Sequence, residues 1–314
     1  MTHSTSSRGA AQAAGAMFLV GTLTAVSATI DGYPVFGGQA LRYAVAAALM
    51  LVAVCWADRR AGRPGPRPTA REWALLAALA ATGLVAFNVC VVEATARVDP
   101  ATVGTVIATV PIVLALAGPL QQRRRPAPAV VVAAVVVATG AGLATGLGGA
   151  DPAGLLLALG ALGGEVCFSL LAVPLLPRLG AVRVSAYSAA LAVPMLAGVG
   201  LLVDGRDIVR TPTAGEAAAL GYLAAVVTTV AFFLWYDALG RLGADRAGLF
   251  AGILPISAVV TATALGLGRP GAAELTGAVL VAVGVAVGMR PPRRAPRPLA
   301  PVAAPPSGVG SGAS

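Results

Sequence analysis

The sequence predicts an all-α membrane protein: ten transmembrane helices forming two inverted five-helix repeats. Three observations predict it. Apolar runs near 20 residues recur ten times, arginines alternate between the links that join them, and the two halves match at a constant offset of 144 residues. Composition sets the frame. The 314 residues are 57% hydrophobic and 11% charged, with a mean hydropathy of +0.84. Soluble domains are about a quarter charged, so this much charge does not cover a water-facing surface. Each run is long enough for ~30 Å of hydrocarbon.

The first predicted segment is Ala11–Ile30 and the second Val35–Trp56, divided by Asp31-Gly32-Tyr33-Pro34. Trp73–Val92 and Ala101–Leu120 follow, parted by Asp99-Pro100, and then Val130–Leu147. The second set is Ala153–Leu176, Val184–Val203, Ala217–Leu239, Ala247–Leu267 and Ala273–Met289. Gly149-Ala150-Asp151-Pro152 and Gly268-Arg269-Pro270-Gly271 are further breaker clusters. The expected organisation is a cytoplasmic tail over residues 1–10, repeats over 11–147 and 153–289, and a disordered cytoplasmic tail over 290–314, rich in Pro, Ala, Gly and Ser. A signal peptide ending near Ala25-Val26-Ser27-Ala28 fits less well, because the apolar run is long and one Arg precedes it.

All 22 basic residues are Arg. On one side fall Arg8, Arg59, Arg60, Arg63, Arg67, Arg71, Arg123, Arg124, Arg125, Arg178, Arg183, Arg241, Arg246, Arg290, Arg293, Arg294 and Arg297. The other side holds Arg97, Arg206, Arg210 and Arg269, and Arg42 lies inside the second segment. Positive-inside bias then puts both termini in the cytoplasm and the protein in the cell membrane. The net charge of +9 is topological, and no aromatic-rich basic face points to nucleic acid.

The self-match pairs Glu93-Ala94-Thr95-Ala96-Arg97 with Asp237-Ala238-Leu239-Gly240-Arg241, Gly104 with Gly248, Pro111-Ile112 with Pro255-Ile256, and Arg125-Pro126 with Arg269-Pro270. Five helices per copy, an odd number, place the copies upside down relative to each other. Inverted repeats characterise secondary transporters, whose halves exchange conformations to alternate access.

Two five-helix repeats, an Ala-x-x-Arg segment ending the third helix of each, and a Pro within the fourth resemble the EamA family of the drug/metabolite transporter superfamily. The stretch from Trp235 to Leu249, leading to Pro255, is especially similar. The resemblance covers about residues 11 to 290 and implies export of amino acids or other small metabolites. Family members often carry Gly-Glu after the fourth helix of each repeat. Here Gln121-Gln122-Arg123 and Gly266-Leu267-Gly268-Arg269 stand there, so that acid is absent.

Glu165, near the centre of the sixth segment, is the sharpest candidate for a proton or substrate site. Acids in the membrane are costly and usually face a cavity or a partner. Arg42, two turns into the second segment, is suited to a substrate carboxylate or to pairing with Glu165. Asn88, Ser169, Trp235 and Tyr236 are polar or aromatic candidates for the cavity lining, with Thr105, Thr109, Thr228, Thr229 and Ser257 beside them. Glu93 with Arg97, and Asp237 with Arg241, have i,i+4 ion-pair spacing and are read as interfacial anchors or paired gates. Pro111 and Pro255 are expected as hinges or static bends in the fourth and ninth helices. Gly142/Gly146, Gly160/Gly164 and Gly284/Gly288 have GxxxG spacing, which permits close helix contact.

The partners expected are therefore a small-molecule substrate, a proton and the lipid bilayer. No cofactor and no metal are expected. The single histidine, His3, lies in a tail, and no Lys is available for a nucleotide-binding P-loop. Cys55, Cys90 and Cys167 lie in apolar runs without disulfide spacing. Drug or lipophilic-cation efflux, or uptake, are alternatives on the same fold. A channel would conduct without a saturable site, and a membrane enzyme lacks both a Ser-His pair and clustered Asp residues.

Overall fold

A computed structural model describes residues 2–27, 29–30, 32–98, 100–145, 151–266 and 271–290. The predicted tail from Pro291 onward, Asp31, Asp99, Gly146 and Arg269 lie outside the described residues. Every regular element described is helical. In chain order they are α1 (Thr2–Ser27), α2 (Val35–Arg60), α3 (Ala70–Thr95), α4 (Thr102–Gln121) and α5 (Pro128–Thr145), then α6 (Pro152–Leu170), α7 (Leu176–Val203), α8 (Ala214–Leu242), α9 (Ala244–Ala264) and α10 (Ala272–Gly288).

Eight of these helices are long and apolar enough to cross a membrane; α5 and α10 have apolar stretches of Pro128–Leu143 and Ala272–Gly288, which are shorter. At 1.5 Å per residue, 17 residues reach about 26 Å, just short of the hydrocarbon thickness. The outward face is apolar: Leu202, Leu156, Val52, Val132 and Val283 are all exposed. A contiguous apolar exterior marks lipid as the solvent.

Local chemistry sets the ends. Thr69 caps α3 and Glu72 closes a capping box; 144 residues on, Thr213 and Glu216 do the same for α8. The shared string Pro-Thr-Ala-x-Glu (Pro68 to Glu72, Pro212 to Glu216) is part of the repeat that the self-match above did not include. Asp151 caps α6 by accepting from the Gly154 amide at 3.0 Å, with Pro152 in the first turn. Two sharp turns need glycine: Gly180 (φ 75°) breaks α7 near its start, and Gly243 (φ 82°) reverses the chain between α8 and α9. The sixth predicted segment therefore ends at Leu170 rather than Leu176, and the seventh begins before Val184. Each capping box satisfies orphan amides, so Thr69→Ala and Thr213→Ala should each lower unfolding free energy by about 1 kcal/mol. Thermal unfolding of the purified protein measures this, and equal losses in both are expected from equivalent caps.

The offset of 144 extends to irregular features. Wide π-helical turns occupy Ala80–Ala86 of α3 and Leu223–Val230 of α8. In α4 the helix breaks at Ala108 and Thr109, and in α9 a 3-10 turn, Leu249–Gly252, precedes the second half. Pro111 and Pro255 lie in the first turn of the restarted helices, where a missing N–H costs little. Each follows directly on the irregular turn that interrupts its helix.

The links sort to two ends. Tyr33 Oη donates to the Arg210 carbonyl at 3.0 Å, joining the α1–α2 and α7–α8 links. At the opposite, arginine-rich end, Arg178 bonds Glu72 and the Arg67 carbonyl, Arg183 pairs with Asp58, and Gln121 donates to the Leu170 carbonyl. The glycine spacings in α6 and α10 serve contacts within the chain. A Cβ on Gly160 or Gly164 would meet α3 at Cys90 or Phe87, and one on Gly284 would meet α5 at Val137 and the Ala133 carbonyl.

Candidate functional site

Arg42 projects inward from α2 and is 6% exposed. Its Nε donates to Thr228 Oγ1 of α8 at 2.6 Å and an Nη to Gln39 Oε1 at 3.1 Å. The π-turn of α8 prepares that partner, because Thr228 Oγ1 donates in turn to the Leu223 carbonyl, five residues back, at 2.9 Å. The guanidinium carbon lies 5.2 Å from the Tyr43 ring centroid, within cation–π range. No carboxylate pairs with Arg42 among the described residues, so the expected pairing with Glu165 is not formed. The guanidinium has five N–H donors, and two are accounted for.

Glu165 lies on the inner side of α6, partly buried, with no hydrogen bond or ion pair among the described residues. It is close enough to interact electrostatically with the hydroxyls of Tyr43 and Tyr236. Asn88 Nδ2 donates to the Leu84 carbonyl of its own helix at 2.6 Å. Tyr43 thus neighbours the uncompensated cation and the uncompensated acid together.

Beside it runs an aromatic stack of which sequence reasoning singled out Tyr236 alone. Phe168 lies 4.9 Å from Phe232 and 5.0 Å from Tyr236, and Phe232 lies 6.3 Å from Tyr43. It joins α2, α6 and α8. The position 144 residues beyond Tyr43 is also a tyrosine, and Tyr187 stacks on Trp73 at 5.3 Å.

The other candidates separate. Trp235 Nε1 and the Ser169 hydroxyl are buried with no hydrogen-bond partner among the described residues. Thr109 and Thr229 bond their own helices, and Ser257 Oγ donates to the Phe18 carbonyl of α1. Asp237 and Arg241 form their ion pair at 2.7 Å, whereas Glu93 and Arg97 are both exposed and form none with each other. Two clusters at opposite ends went unnoticed in the sequence: Arg210 with Glu216 under the Tyr33 ring, and Arg178 with Glu72. Their signal is the repeated capping-box glutamate.

Two cavities reach Arg42. One, about 100 Å³, opens near the α1–α2 link past Ser27, Tyr33 and Gln39. The other, about 160 Å³, lies between α2 and α8, lined by Leu41, Val45 and Leu220.

The profile of the EamA-like transporter family matches residues 7–146 and 152–289, one match per repeat. A Bacillus subtilis (strain 168) protein described as uncharacterized transporter YetK is 24% identical over 256 residues, covering 79% of this chain and 76% of that one. A solved crystal structure superposes with a TM-score of 0.73 at 21% identity, covering 91% of this chain and 97% of the other, which shows the fold. With eight helices among the described residues long and apolar enough to cross a membrane, and two family matches that together span nearly the whole chain, this chain belongs to the EamA-like transporter family of multi-pass membrane proteins.

Proposed function

We propose that this protein is a secondary active transporter of small metabolites, a proton-coupled exporter of amino acids or related compounds in the cell membrane. In this reading all ten helices cross the bilayer, the repeats are inverted, and both termini are cytoplasmic. The arginine-rich end then faces the cytoplasm. α1 begins at that end, since Gly9 packs against Arg241 and Leu242, and α6 begins at the other, where Gly154 packs against Arg97 and Val98. That antiparallel placement supports inversion.

The observation that carries the reading is the pair of unneutralised charges beside Tyr43. Arg42 offers unused donors to a carboxylate. Glu165 forms no ion pair among the described residues, and acids within membrane spans are the usual members of proton relays. The Pro111 and Pro255 half-helix breaks and the ion pairs Asp237–Arg241 and Glu72–Arg178 are proposed as hinges and gates, and Asn88, Ser169, Trp235 and Tyr236 as lining of the path. Glu93 and Arg97 would act at the opposite end without an ion pair between them.

The test is reconstitution into liposomes holding a pH dye, with a proton gradient and successive additions of amino acids, small peptides, nucleosides and lipophilic cations. A saturable pH change with one class supports the proposal and names the substrate. Arg42→Gln should raise KM for an anionic or zwitterionic substrate roughly tenfold to a hundredfold, the worth of a charged hydrogen bond. Arg42→Lys should restore little, because an ammonium does not reproduce the fork held by Thr228 and Gln39. Lipophilic-cation efflux is the second reading, favoured by the Phe168, Phe232 and Tyr236 rings beside Glu165. It predicts that only the cations move protons and that Arg42→Gln leaves their KM unchanged.

A further inference from the structure

We propose that the transported compound carries an anionic head on an apolar chain and that its chain reaches Arg42 sideways, from the hydrocarbon between α2 and α8. This rests on reading Arg42 as the site of the substrate's anion. Arg42 lines two openings. The opening near the α1–α2 link is of mixed character, with Ser27, Tyr33 and Gln39 beside Ile30, Val35 and Leu223. The opening between α2 and α8, about 160 Å³, is almost wholly apolar: its walls are Leu41, Val45, Pro212, Ala217, Leu220 and Gly221, and Arg42 is the one charged residue in that lining.

The second opening faces lipid. Val45 is 41% exposed, and Leu49 and Val52, four and seven residues on, continue the same exposed apolar stripe of α2. Gly221 and Ala217 on α8 are exposed as well. A cationic residue in the lining of an apolar crevice on a lipid-facing surface is a poor arrangement for a fully hydrated anion, for which the opening beside Ser27, Tyr33 and Gln39 is enough. It suits a molecule of two phases, with a carboxylate or other anion on the free guanidinium donors and its chain lying out between the helices. The Thr228 and Gln39 bonds fix the guanidinium plane, so the head is held while the chain is left without polar contacts.

The experiment uses the full chain in neutral-detergent micelles and follows its unfolding temperature during titration with ethane-, butane-, hexane- and octanesulfonate below their micelle-forming concentrations. Octanol is the uncharged control. Val45→Trp and, separately, Gly221→Leu obstruct the lipid-side mouth; Gly221 has open space where its Cβ would lie. The half-saturating concentration should fall roughly fourfold per added CH2 until the chain outgrows the crevice. Both obstructing variants should flatten that dependence and keep ethanesulfonate binding, and Arg42→Gln should lose the effect of every sulfonate. Equal binding of ethane- and octanesulfonate overturns the lateral route and leaves the Arg42 anion site standing. Octanol acting like octanesulfonate overturns it as a detergent effect. No shift with any sulfonate overturns the anion site, and the lateral route with it.

Discussion

Glu165→Gln is expected to abolish coupling while leaving the path for substrate. With one proton exchanged per substrate, a gradient of one pH unit supports about tenfold accumulation, since each factor of ten corresponds to about 1.4 kcal/mol. In the variant the ratio should fall to one, and the substrate-dependent pH change should vanish. Exchange of labelled for unlabelled substrate should continue, because Gln keeps the size of the side chain and Arg42 keeps its bonds to Thr228 and Gln39. Retained accumulation would make Glu165 structural. The repeat sharpens this expectation. The residue 144 positions before Glu165 is Gly21, where a Cβ would stand 2.5 Å from the Ser257 Cβ and against the Leu254 carbonyl. One repeat therefore places an acid where the other places a close helix contact with α9. Glu165 has no symmetric twin, and no second acid stands at the equivalent position to rescue its loss.

This contrast also shows which parts of the molecule were legible in the sequence. Glu165 and Arg42 stood out because charge in an apolar run is costly and needs a reason. Their surroundings did not stand out. Thr228 is 186 residues from Arg42, and nothing local marks it as the guanidinium's acceptor. The aromatic stack draws Tyr43, Phe168, Phe232 and Tyr236 from three helices; Tyr236 was a candidate, but the other three read singly as ordinary apolar filling. The helices followed from hydropathy and breakers. The π-turns at Ala80–Ala86 and Leu223–Val230 did not, because a wide turn uses the same residues as a regular one. Their placement at one offset argues that they are inherited features of the repeat. The part played by the two prolines was open in the sequence for a related reason. A Pro in an apolar run reads as an interruption, yet it also fits the first turn after a break, and sequence does not separate the two.

GxxxG spacing was similarly ambiguous between contact within the chain and contact between copies, and adjacent glycines in α6 distinguish them. A Cβ at Gly164 would meet the Phe87 Cβ and the Thr82 carbonyl oxygen, each at 2.9 Å, whereas one at Gly163 would meet nothing within 4 Å. Both sit in the helix that presents Glu165, with equal intrinsic propensity. Gly164→Leu forces α6 away from the π-turn of α3. Thr82 presents backbone there, which no rotamer change relieves, so the cost should exceed the usual 1–3 kcal/mol of overpacking, at about 3 kcal/mol or more. Gly163→Leu, facing outward, should be neutral or raise stability by up to about 1 kcal/mol through helix propensity. Unfolding temperatures of the two purified variants, with transport in liposomes alongside, test the pair. The expected result is a stable, active Gly163→Leu protein and a Gly164→Leu protein that is poorly folded or, where it folds, uncoupled, because α6 no longer holds Glu165 beside Tyr43 and Tyr236. Two equally tolerated substitutions would mean that the α3–α6 contact does not position the acid. Damage from Gly163→Leu alone would assign the outward face of α6 at Gly163 to a second copy of the chain.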